Sequence, residues 1–156
     1  MDNLKIRFAS LDDKEDILNL LDVLGEEINL QRGYSKHNTE AKKLGGPILE
    51  EVLKREDAKV FVADLNGKLV GLITFYILPN IRHGYYRGHI EDIVVSKNMR
   101  GKGIGSKLFD HLKQYCKNNN IKVIKLDSGK ELTDAHHFYE KNGGKYTEKM
   151  FRFDID

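Results

Sequence analysis

The sequence has 156 residues, with 26 lysines and arginines against 24 aspartates and glutamates and a formal net charge of +2. This length predicts a single domain over 1–156 with its own core, and the small net charge does not favour a nucleic-acid partner. Because no apolar run could span a bilayer and the first residues lack the order of a signal peptide, we expect a cytoplasmic protein without membrane contact. Cys116 lies on an apolar helix face, which predicts a packed thiol.

The first part of the chain predicts one strand and two helices. Apolar and basic residues alternate over 4–8, which is typical of a half-buried strand. Asp12 or Asp13 is predicted to cap the first helix, Gly25 to end it, and Pro47 to stand in the first turn of the second. The polar segment between these helices is expected to be partly helical and to border a binding pocket; it contains Gln31, Arg32, Tyr34, His37 and Asn38.

Two apolar runs, Lys59 to Leu65 and Leu69 to Leu78, flank the dipeptide Asn66-Gly67. Asn-Gly is the strongest short hairpin signal, because both central residues of that tight turn need positive φ. The pattern therefore predicts two antiparallel strands at the centre of a sheet. Residues 79–87 are predicted to form a loop, with chargeable and aromatic side chains at Arg82, His83, Tyr85, Tyr86 and Arg87.

The most informative stretch runs from Ile90 to Lys117. A short β-branched run ends at Val95, and an amphipathic helix begins after a loop that holds Gly101, Gly103 and Gly105. The first N–H groups of a helix have no internal partner, and the helix dipole adds positive potential there. The loop is therefore predicted to bind an anion, and its close glycines indicate a diphosphate.

Two known nucleotide-binding motifs also place glycines before a helix and are alternatives for this loop. A dinucleotide fingerprint is supported by Asp127, about 20 residues after the last glycine. Against it, the glycine spacing is Gly-x-Gly-x-Gly, and the polar Glu91 and Asp92 lie inside the preceding strand. A Gly-x4-Gly-Lys-Ser/Thr phosphate loop is excluded because the required Lys-Ser/Thr pair is missing.

The last part of the chain predicts two strands around a helix. Residues 121–126 form an apolar run that is expected to pair parallel to the Ile90 strand through a helical crossover. Thr133 or Asp134 is predicted to cap the next helix, and residues 145–154 are predicted to form a final antiparallel strand. The adjacent His136 and His137 lack the spacing of a ligand pair, so no metal site is predicted.

Arg100-x-x-Gly103-x-Gly105 after a Val-Val strand end resembles the acetyl-coenzyme A signature of the GNAT superfamily of N-acetyltransferases. The segment from Ala135 to Gly143, with Phe138-Tyr139, resembles the later helix of that family. The resemblance implies an α/β (α+β) fold with a mixed, mostly antiparallel sheet flanked by helices. It also implies an enzyme that passes the acetyl group of acetyl-CoA directly to a primary amine of a small molecule through a ternary complex.

The resemblance assigns roles to several side chains. Tyr139 would donate a proton to the leaving thiolate, since its phenol is protonated at neutral pH. Glu91 is the first candidate for the base and Asp92 the second. Strand alternation sends these two carboxylates to opposite faces unless the strand is distorted. The acetyl-CoA contacts would come from Tyr139 and from the strand end and loop: Val94, Val95, Ser96, Arg100, Gly101, Lys102, Gly103, Ile104, Gly105 and Ser106.

The acceptor is less well defined by the sequence. Gly88 to Val95 and Lys125 to Asp127 are similar to segments of glucosamine 6-phosphate N-acetyltransferases, which implies that Glu91, Asp92 and Asp127 border the amine. Arg82 and Tyr85 are further candidate substrate contacts, because cations in this region would suit a negatively charged acceptor. A polyamine or a similar amine, a protein lysine, and a non-catalytic module that binds coenzyme A or a protein on the same fold remain alternatives. A homodimer is a further expectation, because exposed strand edges favour pairing.

Overall fold

The computed structural model describes residues 3–32 and 40–155. Their strands form one sheet in the order β1-β2-β3-β4-β5, in which β1 to β4 pair antiparallel and β4 and β5 pair parallel. The predicted mixed, mostly antiparallel sheet is confirmed. The strands are β1 Leu4–Phe8, β2 Ala58–Leu65, β3 Lys68–Asn80, β4 Tyr85–Val95 and β5 Ile124–Leu126; the helices are α1 Lys14–Gln31, α2 Ala41–Lys54, α3 Ile104–Asn118 and α4 Thr133–Lys141.

The β2–β3 hairpin has the predicted turn. Asn66 and Gly67 adopt φ values of 55° and 82°, the left-handed conformation that such a turn requires. The Gly67 N–H donates to Asp64 Oδ1 at 2.7 Å, so a side chain from the end of β2 also closes the turn. The turn sets the register between β2 and β3, and β3 is the middle strand of the sheet.

The helices cover the two faces of the sheet, and alternate residues of the strands divide between them. Phe61 and Ile73 belong to a core with Leu108 and Leu112 of α3. The neighbouring Val62 and Leu72 belong to the other core, which is formed with α1 and α2 and includes Ile17, Leu20 and Leu49. This division follows from the two-residue period of a strand, and each large apolar side chain that is fully buried contributes about 1.5–3 kcal/mol.

Both helix boundaries predicted from glycine and proline were wrong. Helix α1 continues through Gly25 to Gln31 because a glycine inside a helix costs only about 1 kcal/mol relative to alanine. Helix α2 begins at Ala41, so Pro47 stands in its interior and not in its first turn. Gly46 and its neighbour Gly45 let this end of α2 approach α1 closely, since a Cβ at Gly45 would lie 3.1 Å from Leu18.

The polar segment between α1 and α2 lies only partly within the described residues. Gln31 is the last residue of α1, and Arg32 caps its C-terminal end. Tyr34, His37 and Asn38 lie outside the described residues.

The predicted loop over 79–87 is wrong in its length. Strand β3 runs to Asn80 and β4 begins at Tyr85, so only a short turn over 81–84 separates them. Gly84 takes a left-handed φ of 68° within this turn. Tyr85, Tyr86 and Arg87 are therefore strand residues that pair with the end of β3.

The C-terminal part departs most from the prediction. Helix α4 starts at Thr133 with Leu132 at the N-cap, so neither Thr133 nor Asp134 is the cap. Residues 145–155 contain no strand within the described range, although their apolar pattern predicts one. A strand needs a neighbour for its backbone hydrogen bonds, and β5 is only three residues long. Several large side chains of this segment are consequently exposed: Tyr146, Met150, Phe151, Phe153 and Ile155.

Candidate active site

Strands β4 and β5 separate at the centre of the candidate site. They pair over only three residues of β4, from Gly88 to Ile90. Beyond Ile90, β4 continues to Val95 with no strand on that side among the described residues. This opened edge leaves strand backbone without a sheet partner, which suits an extended ligand that can form ladder-like hydrogen bonds.

A bulge in β4 brings the two candidate carboxylates to the same side of the sheet. Thr74 is opposite Asp92 and Phe75 is opposite Ile90, so Glu91 is an extra residue without a partner in the register. Both Ile90 and Ile93 contact the core on the α3 side, which strict alternation would not allow. The distortion required for Glu91 and Asp92 to act on one acceptor is therefore present.

Thr74 holds this bulge in place. Its hydroxyl donates to Asp92 Oδ2 at 2.7 Å and accepts a hydrogen bond from the Asp92 N–H at 2.9 Å. Thr74 is a buried polar residue, so its side chain supplies the partner that β3 backbone would supply in a regular ladder.

The environment of the carboxylates differs from the expectation. Glu91, proposed as the partly buried base, has a side chain that is 61% exposed. Asp92 is the more buried of the two carboxylates, and burial raises its pKa. The hydrogen bond from Thr74 opposes this effect, and the charge of Glu91 adds to it. Burial raises the pKa of the Tyr76 phenol, and the charges of Glu91 and Asp92 add to this effect.

His89 is a functional candidate that the sequence analysis missed. Its Nε2 lies 3.2 Å from Glu91 Oε2 and 4.0 Å from Asp127 Oδ2, and its side chain is only 19% exposed. Asp127 follows β5 directly, so the last paired residues of β4 and β5 bring these groups together. The spacing of His89 and Glu91, two residues apart on one strand, was the signal that could have revealed this contact.

The glycine loop leads directly into the N-terminus of α3. Gly101 and Gly103 take left-handed φ values of 73° and 78°, and no atom lies within 4 Å of a Cβ added at either position. Gly103 is the N-cap of α3, and the first helical bond runs from Lys107 N–H to its carbonyl at 3.0 Å. The amides of Ile104, Gly105 and Ser106 precede that bond and have no partner within the helix. They can bind phosphate oxygens.

The remaining predicted cofactor contacts surround this loop. The Val95 carbonyl accepts a hydrogen bond from Arg100 Nε at 2.9 Å, and the Ser96 N–H donates to the Val70 carbonyl at 2.9 Å. Val94 is buried in the core on the α1 side. Lys102 is exposed, with its Nζ 3.6 Å from the sulfur of a neighbouring methionine.

Helix α4 carries two adjacent aromatic rings, Phe138 and Tyr139. Phe138 packs against Phe109 of α3, with ring centroids 6.2 Å apart, and a Cβ at Gly105 would come within 3.1 Å of its ring. Tyr139 is half-buried, and burial raises the pKa of its phenol. Tyr139 therefore stays protonated at neutral pH, as its predicted role requires.

Two predicted substrate contacts are not brought to this site. Tyr85 lies six residues before Glu91 on the same strand, which separates them by about 20 Å at 3.3 Å per residue. Its ring stacks on His83, with centroids 5.6 Å apart. Arg82 lies in the adjoining turn, so both belong to the opposite end of β4.

An opened strand edge followed by a free helix N-terminus suits an extended ligand with a phosphate-bearing end, as the coenzymes of group-transfer proteins are. The chain belongs to the acetyltransferase (GNAT) family, whose sequence model matches residues 24–144. Several relatives of the chain are named as N-acetyltransferases. None of the helices in the described ranges is long and apolar enough to cross a membrane.

Three relatives show the range of named activities. The chain is 29% identical over 140 residues to an uncharacterized N-acetyltransferase of Methanocaldococcus jannaschii, covering 88% of this chain and 59% of the relative. It is 32% identical over 88 residues to the aminoalkylphosphonate N-acetyltransferase of Salmonella typhimurium, covering 56% of each chain. It is 34% identical over 125 residues to the glucosamine 6-phosphate N-acetyltransferase of Trypanosoma brucei brucei, covering 76% of this chain and 83% of the relative. The matches thus span less than three fifths of the first two relatives.

Two solved structures share the fold over nearly the whole chain. A transcriptional regulator from Bacillus halodurans has a TM-score of 0.82 and 26% identity, covering 98% of this chain and 100% of that one. An acetyltransferase from Trypanosoma brucei has a TM-score of 0.75 and 26% identity with the same coverage. The different descriptions of these two proteins show that the fold alone does not define a function.

Proposed function

We propose that the protein transfers the acetyl group of acetyl-CoA directly to a primary amine of a small molecule, in a ternary complex and in the cytoplasm. The observation that carries the proposal is the opened edge of β4 between Glu91 and Val95, with carboxylates at one end and the glycine loop after the other. Acetyl-CoA supplies the acetyl thioester. The amides of Ile104, Gly105 and Ser106 would hold its diphosphate, and the backbone of residues 94–96 would hold its pantetheine arm.

The carboxylates would prepare the amine. An ammonium group is attracted to Glu91 and Asp127, and it must lose a proton before its nitrogen can attack a carbonyl carbon. Asp92 is the stronger candidate acceptor for that proton, because burial raises its pKa and so makes its carboxylate a stronger base. Glu91 could act through water. His89 Nε2 lies 3.2 Å from Glu91 Oε2, so a proton that Glu91 takes up through water could pass on to this imidazole.

Proton balance assigns the remaining step to Tyr139. The new C–N bond forms as the C–S bond breaks, and the nitrogen then releases its second proton. The departing thiolate takes one proton from Tyr139, whose phenolate would recover the proton that the nitrogen releases. The raised pKa of Tyr139 keeps its own proton on the phenol until the thiolate accepts it. The backbone at the end of β4 would polarise the thioester oxygen.

The class of amine is inferred from the site and from the relatives together. Glu91 and Asp127 are half-exposed or more, so they can bind an ammonium group from solvent. The names of two relatives specify amines that carry a phosphonate or a phosphate, which makes an amino sugar phosphate the leading candidate for this chain. Arg82 lies in the turn before β4, and no hydrogen bond or ion pair joins it to Glu91, Asp92 or Asp127 among the described residues.

The experiment follows free thiol release from acetyl-CoA with a panel of amines: glucosamine 6-phosphate, an aminoalkylphosphonate, a polyamine and a lysine peptide. We expect one small amine to accelerate release, and Tyr139→Phe to lower kcat about 100-fold or more. Tyr146→Phe is the matched control, since Tyr146 is 85% exposed on the C-terminal segment. Acceleration by the lysine peptide alone would favour a protein substrate. Binding of acetyl-CoA without acceleration by any amine would favour a non-catalytic module.

A homodimer is part of the same proposal. The C-terminal arm, residues 145–155, exposes Phe151, Phe153 and Ile155 at alternate positions, each 79% or more exposed. Its Glu148 forms an ion pair of 2.6 Å with Lys125 of β5, so the arm passes the edge strand without pairing. A groove of about 480 Å³ lies beside β5 and the end of α4. We propose that the arm of a second copy fills it.

A further inference from the structure

Glu27 joins helix α1 to the segment that leads into the glycine loop. It lies 73 residues before Arg100 in the sequence, yet its Oε2 accepts a hydrogen bond of 2.6 Å from Arg100 Nη2. Its Oε1 lies 3.2 Å from Lys97 Nζ. The side chain is only 14% exposed, so one nearly buried carboxylate faces two cations.

The two cations bracket one short turn. Lys97 begins the 3-10 turn Lys97–Met99, and Arg100 follows it directly. Arg100 also donates from Nε to the Val95 carbonyl at 2.9 Å. Its guanidinium therefore bridges the end of β4 and helix α1, just before Gly101 and Gly103 turn the chain into α3.

The charge state supports this contact. Burial alone would raise the pKa of Glu27, but the hydrogen bond from Arg100 and the nearby charge of Lys97 outweigh it and lower the pKa below its usual value. The carboxylate is thus charged at neutral pH and holds Arg100 in a charge-assisted hydrogen bond. An arginine held in this way has less freedom to turn its charge toward a phosphate group.

We infer that Glu27 is a positioning residue for coenzyme binding: through Arg100 and Lys97 it fixes the turn before the glycine loop, so that the free amides of α3 are arranged for a diphosphate. The inference rests on the proposed function, because it takes the loop as the coenzyme site. Arg100 then contributes by shaping the loop, and the amides of Ile104, Gly105 and Ser106 contact the phosphates.

The test compares two acetyl donors in Glu27→Gln. Acetyl-CoA carries the diphosphate, whereas S-acetylpantetheine keeps the thioester and lacks it. We expect the KM for acetyl-CoA to rise about tenfold with kcat within about twofold, since one charge-assisted hydrogen bond is weakened. We expect kcat/KM for S-acetylpantetheine to stay within about twofold of wild type. Glu26→Gln is the matched control, because Glu26 is the exposed neighbour on the same helix.

An equal loss with both donors would mean that Glu27 only supports the fold, and no loss with either would exclude any role in coenzyme binding. Arg100→Gln tests the same contact from the loop side. The double variant with Glu27→Gln is expected to lose little more than the worse single variant, because the two residues act as a unit.

Calorimetric titration with coenzyme A separates this inference from the proposed function. It needs no amine, so it works before the acceptor is identified. If wild type binds coenzyme A and Glu27→Gln binds it equally well, the inference is wrong and the proposed function stands. If wild type fails to bind coenzyme A, both are overturned.

Discussion

Thr74→Val tests whether a hydroxyl on β3 maintains the bulge that aligns Glu91 and Asp92. Valine keeps the branched shape of threonine but can neither donate to Asp92 Oδ2 nor accept from the Asp92 N–H. Both groups lie in a part-buried environment, so water replaces the lost partner poorly. The substitution should therefore affect both stability and the state of the Asp92 carboxyl.

The expected loss of stability follows from the two hydrogen bonds. A hydrogen bond to a charged group contributes about 1.5–3 kcal/mol, and an unsatisfied buried N–H costs about 1–3 kcal/mol. Because both bonds join the same pair of residues, their effects overlap. We expect the free energy of unfolding to fall by about 2–4 kcal/mol.

The pH dependence has a definite sign. The Thr74 hydroxyl lowers the pKa of Asp92 against the effect of burial, so Thr74→Val should raise that pKa further. A base must be deprotonated to accept a proton from the amine. The acidic limb of the kcat/KM profile should therefore move to higher pH.

Urea unfolding followed by circular dichroism measures the first effect, and a pH series of thiol release measures the second. Thr74→Ser is the matched control, because serine keeps the hydroxyl and should retain both hydrogen bonds. The reasoning fails if Thr74→Val loses less than about 0.5 kcal/mol, or if serine costs as much as valine.

Three further predictions test the packing, the electrostatics and the proposed dimer. Gly88→Ala should cost about 1–3 kcal/mol or more in urea unfolding, because its Cβ would lie 2.1 Å from the Phe75 ring; a normal midpoint would contradict this. Arg7 lowers the pKa of Asp13 to about 2. Asp13→Asn should therefore lower the free energy of unfolding by about 1–2 kcal/mol at pH 7. In an unfolding series, this difference from wild type should disappear as the pH falls from about 4 to 2. A short bis-maleimide should link Lys122→Cys chains, altered in the groove, to Phe153→Cys chains, altered in the arm, after mixing, with the pair seen as a covalent dimer on a gel; no linkage between chains would refute the proposed dimer.

The features predicted correctly from the sequence are those determined by local chemistry. The Asn66-Gly67 turn depends on two residues that accept positive φ, and the sequence contains both of them. The glycine loop is a second example, because Gly101 and Gly103 adopt the left-handed conformation that glycine takes at no steric cost. The parallel pairing of β5 with β4 also follows from the helix that connects them.

The features that were missed depend on contacts between distant segments. Gly25 and Pro47 are breakers on local propensity, yet packing between α1 and α2 continues both helices past them. The bulge at Glu91 depends on the register with β3, which no window of β4 sequence contains. The pairing of Arg100 with Glu27 spans 73 residues and changes the interpretation of an arginine within a recognised motif.

The candidate acceptor and donor sites lie close together along β4 and its end, and this placement indicates whether the acetyl group passes directly or through the protein. The candidate carboxylates are side chains of residues 91–92, and the donor would lie along the backbone of residues 94–96, two to five residues further along the chain, or about 7–16 Å at 3.3 Å per residue. Covalent transfer through the protein would need a nucleophile in that interval. The single cysteine, Cys116, is buried on α3, and burial raises the pKa of its thiol to about 11. A thiol in that state is a poor nucleophile and lies outside that interval, which supports the proposed direct attack by the amine on a bound thioester.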